Sequence, residues 1–291
     1  LMKTVLVIRN CALGDVSLVR PCLLALKSKY PEVKIVLLTK PQFNPLFDDI
    51  ADLEFVNPDY DGKHSGAPGL ISLANEIHKK WKIDIVIDLH EVIRSKVIKA
   101  FFRTAGKPVF SINKDRKARK QLTSGKSKTQ LPHSIELYAA AFKLAGFNLD
   151  VATIIHQPKE GIMLPKGLKL PEKPVLKIGI APFAKLGMKI WPAQHMIELL
   201  KLIQQNNQVH FYWLGGKEDE IALQPLVAAF ANSTIVAGKY SLDEELAIIG
   251  SLDFAITMDS ANMHLSSLMN TKVFSIWGAT DPLAGFYAWG Q

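Results

Sequence analysis

"FAITMDSANMHLSSLMNTKVFSIWG", residues 254–278, decides how the chain is read. Two apolar runs, Phe254 to Thr257 and Val273 to Ile276, have the look of buried parallel strands. Between them lie the polar residues Asp259, Ser260, Ala261 and Asn262, then a segment of helical spacing that carries His264. A fully apolar strand that passes through a helix into a second apolar strand is a βαβ unit.

The same alternation extends over the whole chain. In the first half, strands are expected at 4–8, 34–39, 53–56, 83–89 and 108–112, with helices near 16–29, 70–82, 92–103 and 134–146. Residues 158–174 carry Pro158, Pro165, Pro171 and Pro174 among Lys and Gly, a linker composition. The pattern then restarts with strands at 176–181, 209–215 and 234–238 and helices near 193–205, 218–231 and 242–251. The expected architecture is two doubly wound α/β domains, 1–157 and 175–291, joined by a linker at 158–174 and facing a central cleft.

Composition narrows the function classes. The 291 residues are 48% hydrophobic, enough for a substantial core, yet no apolar run approaches the ~20 residues of a membrane span. Cys11 and Cys22 form neither a disulfide framework nor a zinc spacing. The start, "LMKTVLVIRN", holds too short an apolar run for a signal peptide, so a cytoplasmic protein is expected. The charge of +8 is uneven: residues 1–170 hold 27 Lys and Arg against 16 Asp and Glu, and residues 171–291 hold 8 against 11. The first half is therefore expected to meet something anionic: nucleic acid, an anionic membrane surface or a phosphorylated substrate.

Ligands of open α/β sheets bind beyond the carboxyl ends of the strands, where helix N-termini point. Three polar segments occupy that position. In "RNCALGDVSLVRP" (9–21), Asp15 lies at a helix start, either as an N-cap or as a general base. The segment lacks the glycines of a dinucleotide fingerprint. In "IAPFAKLGMKIWPAQH" (180–195), Pro192 suits the first position of a helix, and Lys185 and Lys189 on the preceding loop could hold a diphosphate. In the opening stretch the amides of Ser260 and Ala261 are free donors for an anion, with His264 one turn further on the same face. Asp259 beside them either caps the helix or binds hydroxyls. Three further segments are weaker: "DYD" (59–61) reads as a turn more than a metal site, "KDRKARKQLTSGKSK" (114–128) as a solvated mobile loop, and "GGKEDE" (215–220) as a helix start or a nucleoside contact. The basic run has no interleaved aromatics, which argues against single-stranded nucleic acid.

Taken in order, "VIRNCALGDVSLVRPCLLALK", "VIDLHEVIRS", "APFAKLGMKIWP", "WLGGKEDE" and "MDSANMHLSSLMNTKVFSIWGATDP" resemble the ADP-heptose:lipopolysaccharide heptosyltransferases, glycosyltransferase family 9. The resemblance implies a GT-B fold of two Rossmann-like domains, an acceptor-binding one and a sugar-nucleotide-binding one. It also implies inverting, metal-independent transfer of a heptose from ADP-heptose, with no further cofactor. Asp15 falls on the family's catalytic base and Lys189 on the lysine that contacts the donor's phosphates. Ala184, Lys185, Glu218, Asp219, Tyr240, Ser241, Asp259, Ser260, Ala261 and His264 fall on donor-binding positions, and Arg9, Glu91 and Arg94 on acceptor-facing ones. The implied acceptor is a lipid-linked saccharide with anionic groups, which brings the protein to the inner face of the inner membrane; no nucleic acid is expected.

Cys11, Phe183 and Ala261 depart from the family pattern, the last replacing a glycine, and the second domain is expected to lack the family's usual C-terminal end. Two other readings compete. One is a second kind of GT-B enzyme such as a sugar-nucleotide epimerase, and the other is a sugar-nucleotide or polyanion binder whose catalysis has lapsed.

Overall fold

The computed structural model describes residues 3–168, 171 and 174–291. The chain divides into two compact units, Leu1–Ile155 and His156–Gln291.

In the first unit the elements run β1 (Thr4–Ile8), α1 (Leu13–Ser17), α2 (Val19–Lys29), β2 (Lys34–Leu38), β3 (Leu53–Val56), α3 (Gly66–Lys80) and β4 (Ile85–Asp88). They continue with α4 (Ile93–Thr104), β5 (Val109–Ser111), α5 (Arg116–Thr123) and α6 (Ser134–Leu144). The five strands form a parallel sheet in the order β3-β2-β1-β4-β5. Side chains alternate between its faces. Leu6, Ile8, Val36, Leu38 and Val86 meet Leu70, Leu73 and Ile77 of α3 and Ile98 and Phe102 of α4 in one core. On the chain's other helical layer α2 packs with α6.

The second unit repeats the plan with β6 (Leu176–Ala181), α7 (Ala193–Asn206), β7 (Val209–Trp213), α8 (Glu220–Val227), β8 (Ser233–Ile235), α9 (Leu242–Gly250), β9 (Phe254–Met258), α10 (Ala261–Leu268) and β10 (Lys272–Ile276). Its parallel sheet has the order β10-β9-β6-β7-β8. Ile178, Ile180, Phe211, Trp213, Ile256 and Met258 build the core with Met196 and Leu200 of α7 and Leu223 and Leu226 of α8.

Both sheets are wound outward from a central strand, β1 or β6, and reverse direction beside it. The crevice of such a sheet opens at the switch point, between the carboxyl ends of β1 and β4 in one unit and of β6 and β9 in the other.

Several local expectations change. The helix expected at 16–29 is two helices that meet at Leu18. The basic run 114–128 is not a plain loop: it holds α5, started by Asp115, whose carboxylate accepts from the Ala118 amide at 3.0 Å. Pro192 is the N-cap of α7 and not its first residue. Within the proline-rich segment, Lys159 is buried and paired with Asp243 at 2.7 Å, so this part of the segment packs on the second unit. Residues 169, 170, 172 and 173 of that segment lie outside the described residues.

Leu6 is fully buried at the centre of the first sheet. Leu6→Ala should lower unfolding stability by about 2–5 kcal/mol, read from the urea midpoint, through lost transfer energy and the cavity left behind. A change within ~0.5 kcal/mol, the usual range for surface substitutions, would contradict the placement of β1 in the core.

Candidate functional site

At the β1–β4 switch point the chain leaves β1 as Arg9-Asn10-Cys11, and α1 starts two residues later. Asp15 sits in the first turn of α1, whose N-cap is Ala12, so the N-cap reading of Asp15 fails. Its carboxylate instead meets Arg9 at 2.6 Å. Arg9 is 6% exposed, donates to the Leu89 carbonyl at 2.6 Å and lies 5.8 Å from the Tyr138 ring centre. Burial works against the guanidinium charge, but Tyr138, Asp15 and Cys11 outweigh it and raise its pKa. Tyr138, itself buried, donates its hydroxyl to the Asp15 carbonyl at 3.1 Å. Asp15 is thus held from both ends with its carboxylate still partly open, 34% exposed.

Beside it the β4–α4 turn is organised by a fully buried carboxylate, Asp88. One oxygen accepts from the amides of His90 (2.8 Å) and Glu91 (3.0 Å). The other accepts from Ser95 Oγ (2.8 Å) and Lys99 Nζ (3.1 Å). Such satisfaction is what keeps a buried charge tolerable. It also holds Glu91 at φ +51°, an uncommon conformation for a residue with a Cβ. Glu91 is paired with both Lys99 and Lys96. Arg94 turns elsewhere and stacks 4.6 Å from the Tyr60 ring centre. His90 lies with Nε2 at 3.6 Å from Cys11 Sγ.

In the second unit, the loop after β6 carries Phe183 and Ala184 onto the core, which gives the departure at Phe183 a packing role. Lys185 is exposed. Lys189 ends a short 3-10 turn, Gly187–Lys189, and reaches Asp259 at 2.7 Å. Thr280 Oγ1 donates to the same Asp259 oxygen at 2.8 Å. Asp259 therefore does not cap α10; Ser260 occupies the N-cap position, and its own hydroxyl is buried with no partner among the described residues. Ala261 is the first residue of α10 and has no positive φ, so the family's glycine is replaced without strain. His264 is buried one turn further on. The 187–189 turn is pinned from the far side: the Ala279 amide donates to the Met188 carbonyl at 3.0 Å. A Cβ at Gly278 would stand 2.5 Å from that carbonyl oxygen, so glycine alone allows the approach.

The remaining predicted residues lie at the ends of neighbouring strands. Asp219 accepts from the Gly216 amide at 2.9 Å, and its pKa is raised by burial despite that bond, with Glu218 adding to the rise. Glu218 is exposed. Ser241 is the N-cap of α9, accepting from the Glu244 amide at 3.4 Å, and Tyr240 precedes it half-buried. At "DYD", Asp59 accepts from the Gly62 and Lys63 amides at 2.9 and 3.1 Å, which makes it a turn. Among the described residues no cluster of His, Cys, Asp and Glu could hold a metal ion. Asp88, Lys99, Tyr138, Gly278 and Thr280 escape sequence reasoning. The only local signal was Asp88, an acid closing an apolar strand.

Residues 71–288 match the family model of glycosyltransferase family 9 (heptosyltransferase). The chain belongs to this family. Lipopolysaccharide heptosyltransferase 2 of Escherichia coli K12 is 31% identical over 118 residues, which are 38% of this chain and 33% of that protein. Lipooligosaccharide heptosyltransferase 2 of Campylobacter jejuni is 23% identical over 277 residues, 92% of this chain and 79% of its own. The structure of the E. coli heptosyltransferase WaaC with ADP superposes with a TM-score of 0.70 at 19% identity, covering 98% of this chain and 91% of that one. The fold is therefore GT-B, and family membership favours the transferase reading over the epimerase one.

His90, beside Cys11 in the first unit, has a displaced titration. Burial, then the neighbouring Arg9 and Lys114 charges, lower the His90 pKa from 6.5 to about 4. The neutral form is favoured in the folded state, so this contribution is complete above pH ~6.5 and is lost as pH falls through 4. Between those limits stability should fall by up to about 1.4 kcal/mol per pH unit from this group, and NMR should place the His90 midpoint near 4. In His90→Gln that part of the slope should vanish; an NMR midpoint above 6 would contradict the buried placement.

Proposed function

We propose that the protein is an inverting glycosyltransferase that moves heptose from ADP-heptose onto a saccharide of the lipopolysaccharide core. Family membership, relatives named as heptosyltransferases and a fold shared with an ADP-bound heptosyltransferase support this reading. The observation that carries it is the Asp15 carboxylate, fixed by buried Arg9 at the switch point of the first sheet yet still partly open.

In this mechanism Asp15 accepts the proton of the acceptor hydroxyl as its oxygen forms a bond to C1 of the heptose. The bond from C1 to the diphosphate breaks on the opposite face, and the departing oxygen takes the electron pair. Lys189 meets that growing charge, with the amides at the start of α10 beside it. An ammonium has three donors, so Lys189 can keep Asp259 and still offer protons to phosphate oxygens. Asp259, backed by Thr280, sets where Lys189 points. The charge neutralisation that other transferases draw from a metal is assigned here to Lys189 and the helix, with no cofactor. The acceptor is lipid-linked, so the reaction runs at an anionic membrane surface, reached by peripheral contact of the basic first unit.

Asp15→Asn is the informative substitution. It keeps a partner for buried Arg9, whereas Asp15→Ala would leave a buried charge uncompensated. We expect kcat to drop by about 10²–10⁴-fold, with ADP binding by calorimetry unchanged. Retention of full turnover would remove Asp15 from the role of base.

A further inference from the structure

The helix that carries Asp15 is only five residues long, and α2 does not continue it: the two helices meet at Leu18. The last carbonyls of a helix have no partner within it, so a helix this short takes its partners from outside. The Gly14 carbonyl is answered locally, accepting from Ser17 Oγ at 2.7 Å and from the Leu18 amide at 3.3 Å. The Asp15 carbonyl is answered from 123 residues away, by the Tyr138 hydroxyl at 3.1 Å.

Tyr138 is itself firmly placed. It stands on α6, which packs against α2, β4 and β5, and it is 2% exposed. Reciprocal bonds close the start of that helix. His133 accepts from the Ile135 amide at 3.1 Å, and its own amide donates to the Glu136 carboxylate. Burial pushes the Tyr138 pKa up, so at neutral pH the hydroxyl keeps its proton and can donate it. The ring would suit this core equally well as phenylalanine. The buried hydroxyl is what needs a partner, and it finds one in the main chain of the residue assigned as base. The same ring lies 5.8 Å from the Arg9 guanidinium, so one side chain touches both members of the Arg9–Asp15 pair.

From this geometry we infer that Tyr138 is a positioning residue: its hydroxyl fixes α1 through the Asp15 carbonyl, and so aims the Asp15 carboxylate at the acceptor hydroxyl. The inference rests on the reading of Asp15 as base. The positioning itself is also tested without turnover.

The test uses the full chain and Tyr138→Phe, which keeps the ring and removes the donor. Circular dichroism should show both proteins folded, and both are assayed well below their unfolding midpoints. With ADP-heptose and a lipid A–core acceptor, kcat should fall by about 10–10²-fold. KM for both substrates should stay within about twofold, as expected for an interaction that matters only in the transition state. In an Asp15→Asn background the same substitution should change the residual kcat by less than about twofold, because no carboxylate is left to aim. An unchanged kcat in Tyr138→Phe, or a fall of equal size in both backgrounds, would overturn the inference. The measurement that needs no turnover is NMR of the Asp15 carboxylate carbon, assigned by its loss in Asp15→Asn. Its resonance should shift in Tyr138→Phe. If the wild type transfers no heptose but the resonance shifts, the transferase reading fails and the positioning of Asp15 by Tyr138 stands. An unmoved resonance would overturn the positioning whether or not the protein transfers sugar.

Discussion

The contact on which the candidate site depends is the ion pair between Arg9 and Asp15. Arg9 closes the central strand of the first sheet and is almost wholly buried, so its charge must be answered locally. Asp15 answers it from α1, the Leu89 carbonyl from the end of β4, and the Tyr138 ring from α6. Three separate parts of the chain, the β1–α1 segment, the end of β4 and α6, are thereby fixed around one guanidinium. The same contact makes a carboxylate available at a defined place without exposing it fully to water.

The second unit solves a related problem differently. Its cation is Lys189, on a loop, and it is Asp259 at the end of β9 that is buried. A flexible lysine stem gains a fixed direction from that pairing, and Gly278 lets the 277–280 strand exit press close enough to hold the turn. Both arrangements sit at the switch point of a parallel sheet, where helix starts leave backbone donors unpaired. The architecture accounts for where the polar residues are, and the buried ion pairs account for how they are aimed.

Much of this was legible in the sequence, because apolar four-residue runs such as "VLVI" (5–8) and "IVLL" (35–38) fit a sheet covered on both faces. Asp15 and Lys189 could be singled out by place. Their partners could not, since Arg9 becomes buried only when β2 and β4 flank β1, a non-local outcome. Asp259 and Ser260 are adjacent polar residues either of which could cap α10, and composition does not choose between them. Helix α5 was hidden by its own charge: only Leu122 is buried, so no apolar stripe marks it, although Asp115 was in place as a start signal.

In the proposed mechanism Asp15 acts as base in a single displacement, and no sugar is ever bonded to the protein. The most direct measurement is the anomeric configuration of the product, read by NMR from a reaction with ADP-heptose of known configuration. A single displacement gives a product wholly inverted at C1. A product of retained configuration would require a different path, and would contradict it.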